Sequence, residues 1–412
     1  MNALPLVSLA PSFDKRHMQS APHGDESADQ RPTVVIYRSP LFNASETFVR
    51  AHPEQLRRYR PLLAGLEDKG NIPLKLLGST YLPQHRSERL RGRLGDLGWL
   101  ASRLTPEEPR LIHAHFGPDG LTALPLALRL RIPLVTTLRG YDVSRTQRSL
   151  LLSGRLSWIR YALGRERLMR GGDLFLAVSD ALRSMAIRAG YPADRTLTHY
   201  NGVDLKAFSP SGGADGTTIL HVGRLVEKKG TALLLASLAR TRAVHPKARL
   251  VIIGDGPLRS SLEDLSGQLG LGEAVRFLGA RPSSVVTEWM RRAAVLAVPS
   301  LTARDGDAEG LPNVAVEAAA SGLAVVGSDH SGIPEAIADG RSGFVVPQGE
   351  VEPLAARLIE LLSSSDLRRS MGAAGRSLAE ARFDRDVQAE ELERLYDSVL
   401  VRHAARARAQ GR

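Results

Sequence analysis

Two glutamates eight positions apart, Glu309 and Glu317, close the stretch PSLTARDGDAEGLPNVAVE (299–317). A strand ending near Val298 hands over to a polar loop, and Pro312 suits the first turn of a helix running through Val314 to Ala320. Glu309 then lies in the loop and Glu317 about one turn inside the helix. Gly310 lets the backbone approach a ligand closely. The free amides of a helix start seat a diphosphate. A carboxylate on each side of that seat accepts hydrogen bonds from hydroxyls, which sugars and riboses supply. A plainer alternative stays open: Glu317 solvated on its helix, and Glu309 an acidic neighbour that favours the helix dipole.

The stretch HVGRLVEKKG (221–230) is the second candidate. Gly223 permits a tight turn at a strand end, and Arg224 and Lys229 bracket the loop. Two cations so placed can neutralise the leaving diphosphate of a nucleotide sugar, which gains charge as the glycosidic bond breaks. The alternative is a basic surface loop. Ile253-Gly-Asp-Gly-Pro257, with Gly254, lacks the third glycine of a dinucleotide fingerprint and by itself signals a turn. VVGSDHSGIPE (325–335) is another strand followed by small residues, whose turn can offer amides to a sugar or phosphate.

Three polar clusters follow strands in the first half: Ser45-Glu-Thr-Phe48, His113-Ala-His-Phe-Gly117 and Arg139-Gly-Tyr-Asp142. Read as an extended segment, His113 and His115 are expected on opposite faces and so make a poor metal pair; no bound metal is expected. His115 stays open between a packed structural residue and a catalytic one.

These clusters need elements to hold them. From residue 32 the chain alternates strand-length apolar runs with helix-like stretches. The runs are TVVIY (33–37) and segments 110–115, 132–138 and 173–178. This alternation implies βαβ units and a parallel sheet. A Gly-, Ser- and Pro-dense segment, 209–217, reads as a linker. The rhythm then restarts with runs at 218–222, 249–253, 275–278, 295–298 and 324–326. Residues 353–412 are mostly helical and end in an Arg- and Ala-rich tail. The expected architecture is two facing doubly wound α/β domains, with a cleft at the carboxyl ends of both sheets where ligands bind. The expected boundaries are a disordered leader (1–30), an N-terminal domain (31–208), a C-terminal domain (209–385) and a C-terminal helix with basic tail (386–412).

Bulk composition agrees with this. A chain of 412 residues is long for one core, so two domains are the default. With no cysteine, disulfides, thiolate metal sites and cysteine nucleophiles are excluded, and a reducing compartment fits. The net charge of +11 serves either solubility or attraction to an anionic surface, a lipid headgroup or a phosphate-bearing substrate. Aromatic residues make up only 5%, so stacking platforms are scarce and nucleic acid is not an expected partner. No run reaches the roughly 18 apolar residues of a membrane span. Residues 1–30 lack the charged start and long apolar run of a signal peptide.

Assembled in order, these stretches resemble glycosyltransferase family 4, with its two-Rossmann-domain GT-B fold, over about residues 33–385. The motifs are AVSD (177–180), NGVD with Phe208 (201–208), VGRLVEKKG (222–230), IIGDGP (252–257), DAEGLPNVAVEAAASG (307–322), SGIPE (331–335) and GFVVP (343–347). SETF and HAHFGPDG bring the chain nearest to bacterial exopolysaccharide transferases of the colanic-acid type.

The resemblance implies that Glu309 contacts the donor sugar and Glu317 holds the ribose hydroxyls. Arg224 and Lys229 would bind the donor diphosphate, with backbone contacts from Gly310 and Leu311. Gly223, Gly254 and Ser45 are further donor-binding candidates. It implies a retaining hexosyltransferase using a UDP- or GDP-sugar, with no metal or other cofactor. The acceptor would be a saccharide, lipid-linked through polyprenyl diphosphate, met at the cytoplasmic face of an anionic membrane. The segment from Arg139 to Arg170 carries eight Arg against Asp142 and Glu166, a local charge of +6 that fits such a surface. Arg139 departs from the family, where many members carry histidine. Arginine stays protonated and cannot serve as a base, so an electrostatic role is expected there. Two alternatives remain, a nucleotide-sugar epimerase of the same fold and a non-catalytic nucleotide-sugar-binding module.

Overall fold

The computed structural model describes residues 29–41, 47–69 and 79–409. Most of the expected leader lies outside these, as does Ser45. The chain from Pro32 onward forms one compact unit built on two parallel sheets.

The first sheet has seven strands in the order β3-β2-β1-β4-β5-β6-β7. They are β1 (Thr33–Tyr37), β2 (Arg60–Ala64), β3 (Thr80–Tyr81), β4 (Pro109–His115), β5 (Leu134–Leu138), β6 (Leu174–Ala177) and β7 (Thr196–Thr198). The second has six strands, in the order β10-β9-β8-β11-β12-β13. These are β8 (Thr218–Val222), β9 (Arg249–Ile253), β10 (Val275–Phe277), β11 (Val295–Val298), β12 (Val325–Ser328) and β13 (Gly343–Val346). The apolar runs form strands because helices cover both faces, so they read as continuous rather than alternating hydrophobic stretches. Strands β2, β3, β7 and β13 escape the sequence reading. They are short or begin beside proline or glycine, which blurs the signal.

Each sheet reverses its strand order once, between β1 and β4 and between β8 and β11. Such a switch point opens a crevice outside the strand ends. His113 and His115 end β4, Gly223 follows β8, and the acidic loop follows β11, so the candidate residues fall at both switch points.

The two sheets share a hydrophobic core. Leu138, Tyr161, Phe175 and Phe208 belong to the same buried cluster as Leu220, Val251, Leu296 and Ile333. The chain returns after the second sheet. Val203 and Phe383–Arg385 exchange backbone hydrogen bonds, and the helix Arg385–Ala409 then packs on the first sheet. Its Leu392, Tyr396 and Val399 join a core with Val34, Ile36 and Leu63. The stripe Ala389, Leu392, Tyr396, Val399 has helical spacing, so the C-terminal helix supplies a missing layer over the first sheet.

Candidate functional site

The site begins where β8 ends. Gly223 opens a turn and Lys229 closes it, and Gly254 from the next strand end sits against it. Gly254 has φ +146°, and a Cβ there would stand 1.8 Å from the Gly223 carbonyl oxygen. Only glycine allows these two strand ends to touch.

Lys229 Nζ lies 2.9 Å from Glu309 Oε1. This buried carboxylate oxygen is ion-paired, and a carboxylate keeps further lone pairs with which to accept a hydroxyl. Burial alone would raise the Glu309 carboxyl; Lys229 and Lys228 outweigh it and hold it at about 2. Glu309 is therefore an anion under all ordinary conditions, an acceptor and not an acid. Lys228 pairs with Asp307 at 3.0 Å and was missed by sequence reasoning. It lies in the same basic run, and nothing in the sequence separates the two lysines. Arg224 is exposed and makes no ion pair or side-chain hydrogen bond among the described residues.

The loop around Glu309 is held from two directions. Its own amide donates to His330 Nε2 at 3.3 Å, and the Ser331 hydroxyl donates to its carbonyl at 2.6 Å. The Gly310 carbonyl accepts from Gly332 N at 3.0 Å and from the Ser179 hydroxyl at 3.1 Å. Ser179 belongs to the first half, so the AVSD and EG motifs meet backbone to side chain. Leu311 is buried beside them. The helix Asn313–Ala320 follows, with Pro312 at its N-cap, close to the expected start.

Glu317, one turn on, faces a different space. It lines a cavity of about 190 Å³ together with Asn313, Asn201, Arg139 and His115, whereas Glu309 and Lys229 do not. It is half-buried and has no ion-pair partner among the described residues. Burial pushes its carboxyl up to about 7. The two glutamates thus differ in charge state because their surroundings differ, not their chemistry.

Across the cavity, Arg139 donates from Nη2 to His115 Nδ1 at 3.0 Å and from Nη1 to Asn201 Oδ1 at 2.9 Å. Asn201 donates on to Asn313 Oδ1 at 2.8 Å. The NGVD asparagine therefore ties Arg139 to the start of the Glu317 helix.

One expectation is corrected. His113 and His115 project from the same face of β4, with rings stacked 5.0 Å apart, because residues two apart on a strand share a face. With His52 they place ring nitrogens within 4.8 Å of one another. The geometric reason for calling the two a poor metal pair is therefore removed. The SGIPE turn also carries a contact between the two halves. Glu335 accepts from Asp180 N and Ala181 N, each at 2.8 Å, so its carboxylate caps a helix of the first half.

Two family descriptions match in sequence, "Glycosyltransferase Family 4" over residues 48–207 and "Glycosyl transferases group 1" over residues 207–378. The putative colanic acid biosynthesis glycosyltransferase WcaL of Salmonella typhimurium is 36% identical over 252 residues, 60% of each chain. The amylovoran biosynthesis glycosyltransferase AmsK of Erwinia amylovora is 31% identical over 307 residues, 72% of this chain and 73% of its own. This chain thus spans about three fifths of the WcaL proteins it matches. Among solved structures, HepE of Anabaena in complex with UDP superposes with TM-score 0.74 at 22% identity, covering 89% of this chain and 100% of that one. Sucrose-phosphate synthase from Thermosynechococcus elongatus gives 0.73 at 19%, covering 90% and 100%. At these identities the structural likeness is one of fold.

Proposed function

Since the chain belongs to glycosyltransferase family 4, we propose that it is a retaining hexosyltransferase of exopolysaccharide assembly, drawing its sugar from a UDP- or GDP-hexose. The carrying observation is the ion pair of Lys229 with buried Glu309, in the same loop as exposed Arg224, set at the switch point of the second sheet next to the start of the Asn313–Ala320 helix. Arg224 and Lys229 provide positive charge where a nucleoside diphosphate leaves, and the helix start adds its amides. Glu309, permanently ionised, accepts hydrogen bonds from donor-sugar hydroxyls; Glu317 accepts those of the ribose. The bond from C1 to the phosphate oxygen breaks, and a bond from C1 to the acceptor oxygen forms on the same face. The acceptor proton passes to the departing phosphate oxygen. No residue here needs to act as a base, which suits Arg139.

Both donor classes have support among similar proteins. HepE structures hold UDP and UDP-glucose, and relatives in Corynebacterium glutamicum and Mycobacterium tuberculosis are named GDP-mannose-dependent mannosyltransferases. For the acceptor, a saccharide on polyprenyl diphosphate at an anionic membrane surface fits the first half. Leu152, Leu156 and Leu163 are exposed at 75%, 47% and 72%, on or beside the helix Leu156–Gly171, among exposed Arg148, Arg155, Arg167 and Arg170. Apolar side chains ringed by arginines suit an anionic bilayer interface. No described helix is long and apolar enough to cross a membrane.

The test is donor turnover by the full chain with UDP-glucose and GDP-mannose, with and without a polyprenyl-diphosphate saccharide. Lys229→Ala and Glu309→Ala are expected to lower kcat/KM by about 10²–10³-fold, as loss of a transition-state charge contact does. Glu309→Ala with turnover within a few-fold of wild type would sink the site. Epimerised donor in the absence of acceptor would favour an isomerase. Flotation with vesicles containing phosphatidylglycerol, compared with neutral ones, checks the membrane surface.

A further inference from the structure

Behind Arg139 runs a chain of buried side chains that the reaction above does not use. His115 Nε2 meets His52 Nδ1 at 3.0 Å. His52 Nε2 meets the Tyr396 hydroxyl at 2.8 Å. The same hydroxyl meets His113 Nδ1 at 2.5 Å, and His113 Nε2 meets the Thr137 hydroxyl at 2.6 Å. All five side chains are buried.

One set of protons satisfies every bond. Arginine only donates, so His115 Nδ1 accepts from Arg139 and its proton sits on Nε2. His115 then donates to His52 Nδ1, which places the His52 proton on Nε2, donated to Tyr396. The tyrosine hydroxyl is left to donate to His113 Nδ1, and His113 donates from Nε2 to Thr137. Each imidazole is neutral and each is the same tautomer. Burial and the nearby Arg139 charge push all three toward neutrality, His52 to about 3. A metal ion among these rings would need lone pairs that the chain already uses, and would sit beside a guanidinium.

We propose that His115, His52, Tyr396 and His113 are positioning residues that fix the Arg139 guanidinium on the wall of the cavity Glu317 also lines. The proposal rests on the transferase reading for its consequence, a permanent cation preset where phosphate or sugar oxygens bind. Its geometry stands without that reading. An arginine has many rotamers, and ordering it only on binding would weaken affinity. Here the order exists beforehand, and Asn201 and Asn313 extend it to the donor-side helix. Tyr396 comes from the C-terminal helix, so its hydroxyl links that helix to the Arg139 wall of the cleft.

Tyr396→Phe removes that hydroxyl and keeps the ring in the core. It is expected to lower kcat/KM for UDP-glucose or GDP-mannose by about tenfold, the scale of one hydrogen bond supporting a charged group. In an Arg139→Ala background the same change is expected to cost less than about twofold. Additive losses in the two backgrounds overturn the proposal, since a merely structural defect would not depend on Arg139. Thr137→Val cuts the far end of the chain with a side chain of like shape, and should repeat the non-additive pattern if Tyr396→Phe folds poorly.

A second readout does not need turnover. Histidine- and arginine-labelled NMR of the full chain should show His52, His113 and His115 as neutral Nε2–H tautomers and slowed exchange of the Arg139 side chain, lost in Tyr396→Phe. Nδ1–H tautomers, imidazolium signals or one equivalent of zinc by elemental analysis would overturn it. A protein that turns over no donor yet gives this pattern loses the transferase reading and keeps the positioned arginine.

Discussion

Glu317 and Glu309 show how surroundings decide what one side chain does. Glu309 has two lysines and stays ionised; Glu317 has burial without a cation, and its carboxyl rises to about 7. Folded Glu317 therefore keeps its proton through a range in which the unfolded chain, near 4.5, has lost it. Stability from this group is present at low pH and falls as pH rises from about 4.5 to 7. Glu309 has the opposite sign, with stability present above 4.5 and lost toward 2. Glu317→Gln should flatten the first dependence. Urea unfolding at pH 8 should show the variant more stable than wild type by about 1 kcal/mol, a figure reduced from the full linkage value because the carboxyl is only half-buried. At pH 4 the two should match. Parallel pH curves would show that burial of this carboxyl does not act as described.

At the level of elements, the helix Asp180–Arg188 has a divided N-terminus. Ser179 accepts from Leu182 N at 3.1 Å, as an N-cap residue does, while its hydroxyl proton goes to Gly310. The first two amides are taken by Glu335 from the other half, and Tyr200 donates to the same carboxylate at 2.9 Å. A carboxylate at a helix N-terminus gains both the amide bonds and the helix dipole. Glu335→Ala should therefore cost about 1–2 kcal/mol in chemical denaturation, and Glu335→Gln less. An alanine variant as stable as wild type would mean that solvent replaces the cap without loss.

For the whole molecule, the decisive feature is how closely the halves approach. A Cβ on Gly310 would stand 2.3 Å from the Arg139 carbonyl oxygen, and one on Gly140 would stand 2.8 Å from that of Ala308. The two loops are in backbone contact, and polar bonds flank them. Ser144 accepts from Ala308 N at 3.1 Å, Ser149 donates to the Asp305 carbonyl at 2.7 Å, and Arg145 pairs with Asp305. Gly310→Ala must push these loops apart. A displacement of about 1 Å at a reacting centre costs on the order of 10²-fold in rate, so donor turnover should fall by that order while donor binding changes less. Wild-type kcat in Gly310→Ala would show that the contact is not needed for chemistry.

The sequence by itself determined what depends on neighbours along the chain. Apolar runs and turn residues marked most strands, and strand ends marked where polar loops gather. The helix start at Asn313 was legible because Pro312 and the loop before it are local signals. The shared face of His113 and His115 was misread from the sequence as opposite faces, although a strand period of two puts them together. Only tertiary structure decided the partners. Lys229 meets Glu309 across 80 positions, Glu335 meets Asp180 across 155, and Tyr396 reaches His113 across 283. Periodicity and turn chemistry act over a few residues. Ion pairing, tautomer choice and the charge state of Glu317 depend on which surfaces come to face each other, and on how much water they exclude.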